Sequence, residues 1–135
     1  QVLKEVGATE VLGIKNKVKL SGISGFRGEV DPQGILISDC VFIPLEDGDR
    51  AQALKDLGKF IIAVDLNPLS RTSQAANVTI VDNIVRVVPN LIKLVKILKT
   101  KEKTEIEKIL KNFDNKKNLA DVLSYINKRL TELSK

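Results

Sequence analysis

The sequence predicts an α/β fold: a Rossmann-like parallel sheet with flanking helices and a C-terminal helical tail. Three observations predict it. Short apolar runs, "CVFIPL", "KFIIAVDL" and "VTIVDN", are bounded by turn residues, as strands buried on both faces are. A helical pattern separates the first run from the second and another follows the third, the alternation that crossover connections of a parallel sheet produce. Beyond residue 99 such runs stop, and leucines recur at helical spacing among lysines.

Taken in order, "QVLKEVG" reads as the end of a helix, and a chain that begins at Gln1 without any methionine is expected to lack an upstream portion. "TEVLGI" reads as a strand. From Lys15 to Gly34, glycines at 22, 25, 28 and 34 and Pro32 predict a long loop with a short extended piece at "VKL". Loops of that length in a compact domain are usually functional or partly disordered. Cys40, in the next apolar run, is read as a small core hydrophobe. "GDRAQALKDLG" is a short helix closed by Gly58, where a left-handed backbone is needed. "NPLSRTSQAA" is a loop or a single helical turn. "NIVRVVPNLIKLVKILK" is a helix that Pro89 should bend or restart. Thr104 and Glu107 fit a capping box ahead of "IEKILKNF". In the last helix Leu119, Leu123, Ile126, Leu130 and Leu133 form one stripe, to be buried on the same domain or on a second copy.

Composition narrows the function classes. With 135 residues and 43% hydrophobic content the chain has the size of one domain with a core of its own. A single cysteine excludes an internal disulfide and suits a reducing cytoplasm. No apolar run is long enough for a membrane span, so no membrane partner is expected. The net charge of +5 arises late: residues 1–90 carry ten basic and eleven acidic side chains, residues 91–135 twelve and six. Mixed with glutamates and accompanied only by Phe113 and Tyr125, those lysines read as a solvated helix face and not as a nucleic-acid groove. The chain has no histidine, which removes the commonest general base and every Ser-His or Cys-His nucleophile. It also lacks a Gly-x-x-x-x-Gly-Lys-Ser/Thr loop. "GISGFRG" is a weak phosphate-loop candidate, better read as a connection, with Ser24 and Arg27 in reach of a phosphate.

Two polar clusters stand at the ends of adjacent apolar runs. "EDGDR" puts Glu46, Asp47, Gly48, Asp49 and Arg50 at the start of a helix, where unpaired N–H groups and a positive dipole end favour anions. Acids there are ordinary caps. Arg50 opposes the dipole and implies an acid or a phosphate partner. "DLNPLSRT" supplies Asp65, at the position where such folds fix ribose hydroxyls or magnesium-bound water, then Asn67, Pro68, Ser70, Arg71 and Thr72. Each cluster alone is explained by capping or loop hydrogen bonds. Together on neighbouring strand ends they predict a shared pocket for a phosphorylated ligand, most simply a nucleotide.

The stretches "PLEDGDRAQAL", "VDLNPLSRTSQAA", "TIVDNIVRVVPNLI" and "FDNKKNLADVL", with a fainter "GEVDPQGI", resemble the archaeal 4-phosphopantoate:β-alanine ligases, also called phosphopantothenate synthetases. The resemblance implies a cytoplasmic, homodimeric enzyme of coenzyme A biosynthesis that joins 4-phosphopantoate to β-alanine with ATP and Mg²⁺, releasing AMP and pyrophosphate. It implies ATP contacts from Asp47, Gly48, Asp49 and Arg50, with Asn67, Pro68 and Lys55, and places Ser70, Arg71 and Thr72 against phosphates. Arg50, Arg71 and Asp65 are the implied catalytic residues, and Asp65 or Asp49 the acceptor of the amine proton. Members are about twice this length, so residues 1–99 are expected to form a nucleotide-binding unit lacking an upstream portion, with residues 100–135 a helical tail packed on it or at a dimer interface. The alternative is a non-catalytic nucleotide-binding or dimerising module of a larger enzyme.

Overall fold

A computed structural model describes residues 1–15 and 17–135; Asn16, inside the expected loop, lies outside them. The chain runs α1 (Val2–Glu5), β1 (Val18–Lys19), β2 (Glu29–Val30), β3 (Cys40–Ile43), α2 (Gly48–Asp56), β4 (Phe60–Val64), α3 (Arg71–Ala75), β5 (Val78–Ile80), α4 (Ile84–Leu98), α5 (Lys103–Asn112) and α6 (Asn115–Leu133). The sheet order is β3-β4-β5 and both pairings are parallel, with Cys40 opposite Phe60 and Ile62 opposite Val78. This is the parallel α/β arrangement that the alternating runs predict, and it brings the ends of all three strands to one edge.

Local signals account for the central elements. Asp47 caps α2 by accepting a hydrogen bond from the Arg50 backbone N–H, and Gly58 ends the helix region at φ +75°. Ala51 and Leu54, three apart, are fully buried and face β4, whose Ile61 and Ala63 are also fully buried. Ser70 caps α3 through the Ser73 N–H, and Asn83 caps α4 through the Val85 N–H. Asp114 caps α6 through Lys117.

Among the described residues β5 is the last strand of the sheet. Its outer edge is occupied by amide side chains from the start of α6: Asn115 Oδ1 accepts from Thr79 N at 2.7 Å, and Asn118 Nδ2 donates to Thr79 O at 3.0 Å. The backbone groups that would otherwise be left unpaired are thereby satisfied. α6 is docked on the sheet at this end, where Leu119 is buried; further along, Leu130 and Leu133 are exposed, so the leucine stripe is covered only at its start.

Several expectations need correction. "TEVLGI" forms no strand; the Gly13 N–H donates instead to Asp31 Oδ2 at 2.8 Å. The short extended piece expected at "VKL" is present as β1, but the rest of the expected loop from Lys15 to Gly34 is more ordered than that: it holds β2, antiparallel to β1, with helical turns at Gly25–Gly28 and Pro32–Leu36, and the stretch buries Leu20, Ile23 and Val30 in the core. Cys40 is exposed, and β3 is not buried on both faces: it is an edge strand, and Phe42 beside it is 42% exposed. Pro89 does not restart α4, which is continuous from Ile84 to Leu98. The carbonyl that Pro89 cannot bond belongs to Val85, itself well exposed, where water can replace the missing donor. The Thr104–Glu107 capping box is absent: α5 begins at Lys103 with Glu102 as the extended residue, so Thr104 already lies inside the helix.

Candidate functional site

At the β3–α2 junction the acids are held by donors from three segments. Glu46 accepts from the Gly48 N–H at 3.0 Å and from the Thr72 hydroxyl at 3.3 Å. The Thr72 oxygen in turn accepts from Asp47 N at 3.0 Å, tying α3 to the strand end. Arg27, from the turn after β1, pairs with Asp47 at 2.6 Å and with Asp49 at 3.4 Å. Arg71 pairs with the other Asp49 oxygen at 2.7 Å. Arg50 donates to the Arg27 carbonyl at 2.8 Å, while its buried Nε, 3.6 Å from Asp47 Oδ2, has no hydrogen-bond partner among the described residues. Three arginines thus alternate with two aspartates around the start of α2. Arg50 has the acid partner that its place in the helix requires, but its Nε–H stays unsatisfied.

The β4–α3 loop is organised around Asp65, which is 7% exposed. Its oxygens accept from Asn67 N at 2.8 Å and from the Ser70 hydroxyl. Ser70 Oγ accepts from Ser73 N at 3.0 Å, and Ser73 Oγ donates to the Asn67 carbonyl at 2.8 Å. The Pro68 carbonyl accepts from Gln74 Nε2 at 3.0 Å. Most polar groups of "DLNPLSRT" therefore shape the loop itself, with Asp65 as its hub.

A cavity of about 210 Å³ opens at the carboxyl edge of the sheet, walled by Pro44–Glu46 after β3, Val64–Leu66 after β4 and Asp82–Ile84 after β5. A second, of about 290 Å³, lies on the other flank of Pro44–Glu46 and reaches Asp47 and Arg50. Arg71 lines neither; it borders a hollow of about 170 Å³ with Asp49 and Gln52. Lys55 sits in the last turn of α2, about 10 Å along the axis from Gly48. Asp47, Gly48, Asp49, Arg50, Arg71 and Thr72 are thus gathered at one helix start, Asp65, Asn67, Pro68 and Ser70 in the adjoining loop, and Lys55 apart from both.

The cavity also has a wall that motif reasoning passed over: Asp82, Asn83 and Ile84. "TIVDN" closes β5 with Val-Asp just as "AVDLN" closes β4, and that parallel was the available signal. Asp82 accepts from the Arg86 guanidinium and from Asn83 N. The Arg86 hydrogen bond first, then the Asn83 N–H, hold its carboxyl below the usual aspartate value. Since the folded-state pKa is depressed, the stabilisation is present above the unfolded value and is lost as the pH falls through the folded one. A carboxyl-carbon NMR titration should give Asp82 a midpoint below that of an ordinary aspartate, and Arg86→Gln should return it toward that value.

The sequence profile of the family described as phosphopantothenate/pantothenate synthetase matches residues 1–129. The chain belongs to this family. It is 48% identical over 125 residues to a 4-phosphopantoate–β-alanine ligase of Thermococcus kodakarensis, covering 93% of this chain and 48% of that protein. A ligase of the same name from Methanosarcina mazei is 42% identical over 132 residues, 98% of this chain and 52% of its own length. One from Methanospirillum hungatei is 40% identical over 129 residues, 96% and 51% respectively. The chain therefore spans about half the length of the curated relatives it matches. Among the described residues no helix is long and apolar enough to cross a membrane.

Proposed function

We propose that this chain carries the nucleotide-binding part of an ATP-dependent ligase that joins 4-phosphopantoate to β-alanine in coenzyme A biosynthesis. The observation that carries this reading is the cavity at the strand ends, bordered by Asp65 and Asn83, in a chain of this family. The nucleotide occupies it, with Asn67, Pro68 and the start of α4 beside it. The phosphorylated acid takes the adjoining 290 Å³ hollow, where the Arg50 guanidinium lines the wall as a positive charge for an anion.

The chemistry suits a site without histidine. The acid's carboxylate attacks the α-phosphorus of ATP, the bond to the β-phosphate oxygen breaks, and pyrophosphate leaves. The β-alanine amine then attacks the acyl carbon of the acyl adenylate, AMP departs, and the amine's proton passes to Asp65 or Asp49. The first step calls for charge neutralisation more than proton transfer. Arg50 and Arg71 supply it, Arg71 by exchanging Asp49 for a phosphate oxygen. Mg²⁺ would be held chiefly by phosphates and water, with Glu46 or Asp82 as its protein oxygens, and would neutralise the phosphate charge; among the described residues no set of three carboxylates forms a cage of its own. Asp47, Gly48 and Asp49 set the frame of the arginines, and Lys55 approaches only from the far end of α2.

The full-length protein, given ATP, 4-phosphopantoate and β-alanine, should form AMP only when all three are present. ATP binding without AMP would instead support a non-catalytic nucleotide-binding or dimerising module, a reading favoured by the half-length match. Homodimer assembly, checked by light scattering, belongs to the proposal and is supported by the exposed Leu130 and Leu133 on α6.

Arg71→Ala is expected to weaken binding of ATP or 4-phosphopantoate by roughly ten- to a hundredfold, since a charge-assisted hydrogen bond contributes roughly 1.5–3 kcal/mol. Its side chain is 74% exposed, so the melting temperature should stay unchanged, as surface ion pairs contribute about 0–1 kcal/mol. Calorimetric titration with each ligand checks both statements. Unchanged affinity for both would place the phosphates elsewhere.

A further inference from the structure

The start of α6 carries a side chain with more hydrogen bonds than sheet docking requires. Besides accepting from Thr79 N, Asn115 presents Nδ2 to the Ala76 carbonyl at 3.0 Å, the Ser73 carbonyl at 3.2 Å and Thr79 Oγ1 at 3.1 Å. Ser73 and Ala76 stand at the carboxyl end of α3, where carbonyls have no partner within the helix. Asn115 thus caps α3 from a separate element.

That matters because α3 has five residues, too few to hold a helix unaided. Its frame is set from outside, by the Thr72–Asp47 bond at the front and, at the rear, by Asn115 together with the Thr79 hydroxyl, which donates to the Ser73 carbonyl at 2.9 Å. Between these clamps run the bonds of Ser73 to Asn67 and Ser70, and of Ser70 to Asp65. A continuous chain of hydrogen bonds therefore links α6 to the loop at the mouth of the strand-end cavity. The Asn118 side chain, by contrast, has among the described residues one hydrogen bond, to the Thr79 carbonyl of the sheet edge.

We propose that Asn115 is a positioning residue for the nucleotide site: by capping α3 from behind, it fixes Arg71, Thr72 and the Asp65–Ser70 loop in the geometry that ligand binding requires. The nucleotide in this statement rests on the proposed function. Asn115→Asp separates the two jobs of the side chain. It keeps the acceptor for Thr79 N, and an acid in the first turn of α6 suits the helix dipole, but it removes the donors to Ser73 and Ala76. Asn118→Ala is the counterpart that perturbs the sheet edge and spares α3.

The experiment uses the full-length protein and MgATP. Asn115→Asp is expected to raise the dissociation constant and the KM for ATP tenfold or more, with the KM for β-alanine within twofold of wild type. Asn118→Ala should leave both within twofold. Without any ligand, amide hydrogen exchange over residues 66–76 should quicken in Asn115→Asp and not in Asn118→Ala. Unaltered exchange and ATP affinity in Asn115→Asp, or equal effects of the two variants, would overturn the positioning role. A wild-type protein that binds no ATP would overturn the proposed function, while the exchange rates would still decide whether Asn115 holds α3.

Discussion

Gly48→Ala is expected to lower stability by about 1–3 kcal/mol, the usual cost of overpacking a well-filled site, and to weaken nucleotide binding with it. A Cβ built on Gly48 would stand 2.7 Å from Arg71 Cβ and 3.3 Å from Arg71 Nε and Glu46 Oε1. The first of these is a backbone-proximal atom that cannot move unless α3 moves. Gly48 has no positive φ, so alanine meets no backbone strain there and the whole effect is steric. The start of α2 would be pushed from the start of α3, stretching the Thr72–Asp47 bond and the Asp49–Arg71 pair together. Urea denaturation of wild type and variant measures the loss, and a double-mutant cycle identifies its cause. In an Arg71→Gly background, where the opposing Cβ is gone, Gly48→Ala should cost much less. Additive effects in that cycle would mean that the two helix starts are not in contact.

The same close approach marks where the sequence was legible and where it was not. Gly58 announced a helix end because its partners lie within three or four residues, and the structure ends α2 at that place. β4 was legible because an inner strand is apolar on both faces. β3 carries almost the same apolar text, yet it is an edge strand with Cys40 and Phe42 exposed, and nothing in "CVFI" tells an edge from a centre. "TEVLGI" failed for the complementary reason: a strand needs a partner edge, and the backbone of Gly13 found Asp31 instead. The Thr104–Glu107 pattern had the right spacing, but the extended residue that defines a helix start fell two positions earlier, at Glu102.

At the site, the two polar clusters were legible as neighbours because parallel strands must end at one edge. Their division of labour was not. Arg50 suggested an anion because a cation at a helix start needs one; the fold meets much of that need with Asp47 and the Arg27 carbonyl, the latter 23 residues away in sequence. Arg27 was in view only as part of a weak glycine-rich stretch, yet it bridges Asp47 and Asp49. Asn115 was invisible as a site residue, since its partners lie 36 to 42 positions earlier. Proximity along the chain and the shared edge of parallel strands were readable; individual side-chain contacts made by folding were not.

Thr72→Val should cost about 1–3 kcal/mol, the penalty of leaving a buried polar group unpaired, although it nearly preserves side-chain volume. Thr72 is fully buried, and its hydroxyl is the tie between the β3 end and α3: it accepts from Asp47 N and donates toward Glu46. Valine fills the same space and leaves the Asp47 N–H without that acceptor, at the residue that also caps α2 and holds Arg27. Glu46 retains its bond from the Gly48 N–H and suffers less. Thr72→Ser separates the bond from the packing, since it keeps the hydroxyl and gives up one methyl, a loss of about 1 kcal/mol at most sites. The bond therefore predicts an order in urea midpoint of wild type, then serine, then valine, at an unchanged slope. It also predicts that ATP affinity falls in the valine variant and recovers in the serine one. If packing governed the position instead, valine would be the more stable of the two replacements, and the tie between the strand end and α3 would have to be sought in the Asp49–Arg71 pair.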